Sequence, residues 1–140
     1  LEEWEYIFKT NVISTFLLYK YFAPLMNEGS YWFNISSTAG LRPRPDWAGY
    51  SISKSALNSL TQIMAEESYP HILVNAIAAG RTDTPMRLKA YPQGEPKENL
   101  LPPEKIADYI YAIVSNKIHI TGQILEIKLG FSTCIQKNRE

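Results

Sequence analysis

The sequence predicts an α/β fold, a partial doubly wound sheet of three parallel strands that alternate with helices. Three features support this prediction: amphipathic segments with three- and four-residue apolar spacing, short β-branched and aromatic runs between them, and regular alternation of the two along the chain. Such alternation implies right-handed crossovers and helices on both faces of the sheet. Ligands of this architecture bind beyond the carboxyl ends of the strands, here residues 36–37 and 79–80.

The first predicted helix covers residues 1–26, where Trp4, Ile7 and Phe8 belong to an apolar stripe at helical spacing. A second stripe contains Tyr6, Ile13, Leu17 and Tyr21. Two stripes are typical of a helix that packs on the sheet and on a further helix or a second subunit, and a wholly buried helix has the same pattern. We predict a homo-oligomer that associates through the first two helices.

The later elements follow from turn residues and apolar runs. They are a strand at residues 31–35, a helix at about 47–68, a strand at 71–78, a helix at 102–115 and a strand at 124–128. Residues 81–101 are predicted to be irregular because they are rich in Pro, Gly and charge. Connections of that length are commonly lids or binding loops, or else they are disordered.

Composition and charge exclude several classes of function. The 140 residues suit one domain, and 14 basic side chains balance 14 acidic ones, which leaves no basic field for nucleic acid. Lys20 interrupts the most apolar segment, so no stretch reaches the roughly 18 apolar residues of a membrane span. Cys134 has no second thiol, and His71 and His119 lack metal-ligand spacing, which argues against a disulfide or a metal site. A cytoplasmic setting is predicted.

Tyr50 and Lys54 are the first candidates for chemistry. They lie four residues apart, on one face of the second long helix. A nearby ammonium group favours the phenolate form of a tyrosine, which then exchanges a proton with an alcohol or ketone more readily. Alone, such a pair is more typical of a helix surface. Ser37 strengthens the hypothesis, because it ends a predicted strand 13 positions earlier and its hydroxyl could polarise a carbonyl oxygen.

These motifs resemble a known family. Residues 34–40 (Asn-Ile-Ser-Ser-Thr-Ala-Gly) followed by residues 50–54 (Tyr-Ser-Ile-Ser-Lys) resemble the active-site region of the short-chain dehydrogenase/reductase family. Residues 8–12, 73–86 and 120–125 are similar to further segments of that family. The resemblance covers residues 4–131, and 3-oxoacyl-carrier-protein reductases are one candidate subgroup.

The resemblance implies a Rossmann-type fold, NAD or NADP as cofactor, and hydride transfer between nicotinamide and a small-molecule ketone or secondary alcohol. Tyr50 would be the general acid or base and would also contact the cofactor. Lys54 would promote its ionisation and bind the nicotinamide ribose. Ser37 would stabilise the substrate oxygen, and Asn11 would hold a water that links Lys54 to solvent.

The resemblance also implies a cofactor contact after the second strand. Thr84 and the backbone around Gly80 and Thr82 would face the nicotinamide carboxamide. Each proposed residue also has an ordinary structural interpretation: Ser37 as a turn residue, Thr84 as part of a loop pair with Pro85, and Asn11 as a polar residue at a helix bend.

Several departures from the family pattern affect these expectations. The Gly-rich phosphate loop and the Asn-Asn-Ala-Gly segment are absent, and the first residue is not Met. The sequence therefore predicts that residues 1–140 form a single domain, the C-terminal half of a longer reductase. Ala79 and Thr82 replace the usual proline and branched apolar residue, and residues 126–130 replace the customary Asp-Gly-Gly ending.

Two other functions remain possible at this point. A non-catalytic half-domain, a pseudoenzyme acting as an interaction module, would show the same apolar stripes. A hydrolase that uses Ser37 is disfavoured, because neither histidine occupies the position of a base. The substrate is not identified. Five basic side chains near the predicted site either meet an anionic substrate or are simply solvated: Arg42, Arg44, Arg81, Arg87 and Lys89.

Overall fold

The computed structural model describes residues 1–130, so Phe131 and Cys134 lie outside the described residues. Its main elements are α1 (Glu2–Phe8), a π-helical turn (Lys9–Ile13), α2 (Ser14–Phe22), β1 (Ser30–Ser37), α3 (Ala48–Ser68), β2 (Ile72–Ala79), α4 (Pro85–Ala90), α5 (Pro103–Ser115) and β3 (Ile124–Ile127). The predicted α/β fold, with strands that alternate with helices, is confirmed.

The three strands form one parallel sheet in the order β1-β2-β3. The register pairs Ser37 with Ala79 and Ala79 with Ile127, so the last residues of the three strands lie side by side. The loops that follow the strands therefore leave the sheet at the same edge.

Helices cover both faces of the sheet, as predicted. On one face, Met64 and Ala65 of α3 pack against Val74 of β2. On the other face, Ile113 of α5 packs against Ile77 of β2. This double coverage explains why β2 reads as an almost continuous apolar run instead of an alternating pattern.

The prediction of one regular helix over residues 1–26 is wrong in detail. A π-helical turn at Lys9–Ile13 separates α1 from α2, and a short 3₁₀ turn at Ala23–Leu25 follows α2. Single π-helical turns inside α-helices often occur at functional sites. This one contains Asn11.

Within the described part of the chain, other residues pack against only part of the surface of residues 1–26. A Cβ on Gly49 of α3 would meet Ile7 Cδ1 at 3.4 Å, so α1 lies close to the start of α3. The second apolar stripe, in contrast, consists of exposed side chains: Tyr6, Ile13, Leu17 and Tyr21.

The expectation of an irregular segment at residues 81–101 is wrong for the six residues of α4. Thr84 caps this helix, because its hydroxyl accepts a hydrogen bond from the Arg87 N–H at 3.2 Å, and Pro85 occupies the first helical position. Arg87 also binds Glu95, with 2.6 Å between Nε and Oε2. The connection is therefore tied together internally.

Within residues 1–130, no helix combines the length and apolar character needed to cross a membrane. The same residues contain no cluster of three or more His, Cys, Asp or Glu side chains arranged to hold a metal ion.

Candidate active site

Ser37 ends β1 and begins the 3₁₀ turn Thr38–Gly40. Its Oγ accepts a hydrogen bond from the Ala39 N–H at 3.1 Å, so Ser37 does cap a turn, which is the structural interpretation of its position. Because Oγ acts as acceptor in this bond, the Ser37 O–H remains able to donate to another oxygen. The structural and the chemical roles are therefore compatible.

Gly40 brings the Ser37 turn against α3. A Cβ at this position would lie 2.7 Å from the Lys54 carbonyl carbon, a distance that real Cβ atoms do not reach. The Gly40 carbonyl accepts hydrogen bonds from Ser55 Oγ at 2.8 Å and from Asn58 Nδ2 at 3.3 Å. The turn that carries Ser37 is thus fixed to the helix that carries Tyr50 and Lys54.

Lys54 lies beside Tyr50 on α3, as its spacing predicts. Its Nζ is 5.7 Å from the centroid of the Tyr50 ring and donates to the Ile35 carbonyl oxygen at 2.9 Å. An ammonium has three donors, and the other two have no acceptor within the described residues. Burial lowers the pKa of Lys54 below its ordinary value, because desolvation disfavours the charged form.

The Tyr50 side chain is held by its ring and leaves its hydroxyl open. The ring packs edge-on against Trp47, with 5.6 Å between the centroids. Among residues 1–130 the hydroxyl makes no hydrogen bond. A fixed ring whose hydroxyl has no partner among residues 1–130 is a suitable proton donor or acceptor for a bound ligand.

Asn11 reaches α3 from the π-helical turn. Its Nδ2 donates to Ser53 Oγ at 3.0 Å, and Ser53 Oγ donates to the Tyr50 carbonyl oxygen at 2.7 Å. The Asn11 side chain therefore bonds to the residue that precedes Lys54, and not to Lys54 itself. This contact fixes the turn against the first half of α3.

Gly80, Thr82 and Thr84 lie on the loop that follows β2. A Cβ on Gly80 would be 3.0 Å from Lys128 Cβ, so the glycine permits close approach to the chain after β3. Thr82 Oγ1 donates to the Gly80 carbonyl at 3.1 Å, and Thr84 Oγ1 donates to the Thr82 carbonyl at 3.4 Å. Both threonines thus shape the loop, and no hydrogen bond within the described residues joins it to Tyr50 or Lys54.

A cluster of side chains next to Tyr50 was not predicted from the sequence. Trp47 contacts the Tyr91 ring at 6.0 Å between centroids, and the Arg87 guanidinium lies 4.0 Å from the Tyr91 centroid. The hydrogen bonds from Arg87 hold the pKa of Glu95 below its usual range. The aromatic Trp47 three positions before Tyr50 was the only local signal, because the other members are distant in sequence.

Comparison with known proteins adds independent information. A family model described as enoyl-(acyl carrier protein) reductase matches residues 1–132. The oxidoreductase YciK of Escherichia coli (strain K12) is 30% identical over 130 residues, which are 91% of this chain and 51% of that protein. The acetoacetyl-CoA reductase of Acinetobacter sp. (strain RA3849) is 30% identical over 143 aligned residues, covering 92% of this chain and 56% of that protein.

The solved structures agree with these matches. A short-chain dehydrogenase of Escherichia coli CFT073, crystallised with NADPH, has a TM-score of 0.77 and 31% identity over 88% of this chain and 52% of its own. The chain thus spans about half the length of the proteins it matches.

Proposed function

The chain belongs to the short-chain dehydrogenase/reductase family, and on that premise we propose that it carries the catalytic part of an NAD(P)-dependent oxidoreductase that interconverts a ketone and a secondary alcohol. The observation that carries this proposal is the contact of Gly40 with the Lys54 backbone. This contact fixes the Ser37 turn to the helix that bears Tyr50 and Lys54.

The donor set suits a nicotinamide dinucleotide. Two N–H donors of Lys54 without a described acceptor match the paired hydroxyls of a ribose. Thr84 and the backbone around Gly80 and Thr82 would meet the carboxamide. When bound, the dinucleotide would supply or accept the hydride, and the residues of this chain would supply position and the proton.

In the reductive direction, the Tyr50 hydroxyl would donate its proton to the carbonyl oxygen as the carbonyl carbon gains hydride. The Ser37 O–H would donate to the same oxygen and stabilise the charge that develops there. Lys54 would favour the phenolate that remains, and Asn11 would hold a water through which the proton returns from solvent. Oxidation of an alcohol would run the same steps in reverse, with Tyr50 as base.

Binding and turnover by the whole natural protein test this proposal. We expect NADH or NADPH to bind in calorimetry, and a panel of ketones to be reduced with loss of nicotinamide absorbance. A whole protein that binds neither dinucleotide would contradict the proposal. It would favour the second candidate function, a non-catalytic interaction module. The exposed apolar side chains of α1 and α2 support that alternative.

Replacing Lys54 with Ala should weaken dinucleotide binding roughly tenfold or more, because hydrogen bonds from a charged donor are lost. The pH–rate profile for alcohol oxidation should also move to higher pH, since the phenolate of Tyr50 loses its positive neighbour. Calorimetry and initial rates across a pH series would measure both effects. Lys105→Ala is the matched control, because Lys105 pairs with Asp108 on an exposed face of α5. An unchanged affinity and an unchanged profile would remove Lys54 from the mechanism.

We also propose that the protein is a homo-oligomer that associates through its first two predicted helices, which cover residues 1–26 and about 47–68. The exposed side chains include Tyr6 at 70%, Leu17 at 43% and Tyr21 at 65% of their full accessibility. Monomers rarely leave large contiguous apolar patches in water. The variant Leu17→Glu should therefore dissociate the assembly in analytical ultracentrifugation.

Tyr111→Glu provides a comparison for that experiment. Tyr111 is 74% exposed on α5, which covers the opposite face of the sheet, so a charge there should leave the assembly intact. A monomeric wild-type protein, or equal dissociation by both variants, would contradict the proposed contact.

A further inference from the structure

A pocket of about 300 Å³ opens at the carboxyl edge of the sheet. Four basic side chains and one acidic side chain contribute to its lining: Arg42, Arg44, Arg81, Lys128 and Glu126. The basic groups come from the loops after all three strands, so the fold gathers positive charge at one place although the whole sequence is neutral.

The acidic partners near the pocket are already engaged. Glu126 forms ion pairs with Arg42 and with Lys128, and the distance from Lys128 Nζ to Glu126 Oε1 is 3.1 Å. Burial opposes ionisation of Glu126, but the hydrogen bonds from these two cations outweigh it and hold its pKa below the ordinary value. The carboxylate therefore stays charged at neutral pH and offsets part of the positive charge.

Arg81 and Arg44 are less completely paired. Arg81 approaches Glu95 only to 4.0 Å, and Glu95 already accepts two hydrogen bonds from Arg87, at 2.6 and 2.8 Å. Arg44 lies over the Trp47 ring at 5.9 Å and forms no ion pair within residues 1–130. A concave surface with excess positive charge concentrates anions, and the planar guanidinium fork suits carboxylate and phosphate groups.

The pocket adjoins the candidate active site at two places. Thr38, which lines it, directly follows Ser37. Arg44 stacks on Trp47, whose ring packs against Tyr50. A molecule whose reacting oxygen meets Ser37 and Tyr50 could therefore extend a second group into the pocket.

We propose that this pocket binds an anionic group of the substrate, a carboxylate or a phosphate, while the carbonyl lies at Ser37 and Tyr50. The substrate class is then an anionic ketone or alcohol, an assignment that rests on the proposed oxidoreductase function. Arg81 and Arg44 would contact the anion directly. Glu126 would hold Arg42 in place and limit the positive charge.

Equilibrium binding of simple anions tests the site without turnover. Malonate and inorganic phosphate are titrated into the whole natural protein at low salt by calorimetry, and at least one should bind saturably at millimolar concentration. Arg81→Gln should weaken that binding about tenfold, because a hydrogen bond to a charged group is lost. Lys105→Gln removes one positive charge from an exposed helix face and should leave the affinity unchanged.

The variant Glu126→Gln should change the anion affinity in the opposite direction to Arg81→Gln. Removing the carboxylate releases Arg42 and adds net positive charge, so the anion should bind several-fold more tightly. A role of these residues in folding alone would not produce tighter binding. Absence of saturable binding of both anions, or equal affinities in wild type and Arg81→Gln, would overturn the proposal.

Competition experiments identify the molecule that carries the anion. The bound anion should compete with an anionic carbonyl substrate and not with NADPH; competition with NADPH alone would assign the pocket to the cofactor and refute the proposal. Whichever of malonate and phosphate binds with the higher affinity indicates the chemical class of the substrate's anionic group.

The two proposals can fail separately. Reduction of neutral ketones by a protein that binds no anion would refute the proposed anion site and leave the oxidoreductase function intact. Anion binding by a protein that neither binds a dinucleotide nor reduces a carbonyl would refute the function and the substrate role together.

Discussion

Replacement of Tyr50 with Phe is expected to lower the turnover of the whole enzyme by about two to four orders of magnitude, the usual contribution of a positioned general acid or base. The ring would keep its contacts with Trp47 and Lys54. The hydroxyl makes no hydrogen bond within the described residues, so its removal breaks no described internal contact. The loss should therefore appear in kcat, with thermal stability and dinucleotide affinity close to those of the wild type.

Tyr111→Phe serves as the matched control, because it removes the hydroxyl of an exposed tyrosine on α5. Steady-state rates with a reducible ketone, together with calorimetric dinucleotide binding, would compare the three proteins. Near-normal turnover of Tyr50→Phe would show that another group transfers the proton, and Ser37 would then be the next residue to test.

Much of the fold could be predicted because its strands have a strong local signal. The residues of β2 are buried on both faces and form an apolar run, interrupted by Asn75, that ends at small residues, Ala79 and Gly80. The α3 helix ends at Ser68, and the next residue, Tyr69, directly precedes Pro70, which disfavours a helical conformation in the residue before it. Local composition alone determines these boundaries.

The π-helical turn was not predictable in the same way. One additional residue in a helical turn hardly changes a three- and four-residue apolar pattern, so α1 and α2 read as one helix. In contrast, α4 had a readable signal. Thr84 followed by Pro85 combines a favourable N-cap residue with a favourable first helical residue, and the richness of the segment in Pro and charge concealed it.

The candidate site also combines residues that local sequence motifs reveal with contacts that they do not reveal. Tyr50, Lys54 and Ser37 could be named from the sequence because each belongs to a short motif. The contact of Trp47 with Tyr91 and the joint lining of one pocket by Arg42 and Lys128 join residues that are distant in the chain. Such contacts depend on how the loops leave the sheet, which no local pattern specifies.

Gly40→Ala is expected to destabilise the protein by about 1–3 kcal/mol, the range typical of overpacking, and to impair catalysis as well. The added Cβ would lie 2.7 Å from the Lys54 carbonyl carbon and 2.9 Å from its oxygen, and backbone atoms cannot rotate away as a flexible side chain does. Either the Ser37 turn or α3 must shift. Displacement of a catalytic group by about 1 Å can lower a rate roughly a hundredfold.

Gly49→Ala separates this steric effect from the general consequences of replacing a glycine. Its Cβ would meet Ile7 Cδ1 at 3.4 Å and Trp4 Cε2 at 3.5 Å, which are ordinary contacts with side chains. Because alanine favours a helix over glycine by up to about 1 kcal/mol, this variant should be as stable as the wild type or slightly more stable. Urea unfolding measures both variants. Equal stabilities of Gly40→Ala and Gly49→Ala would mean that the turn and α3 are not in close contact, and the fixed geometry proposed for Ser37, Tyr50 and Lys54 would lose its structural basis.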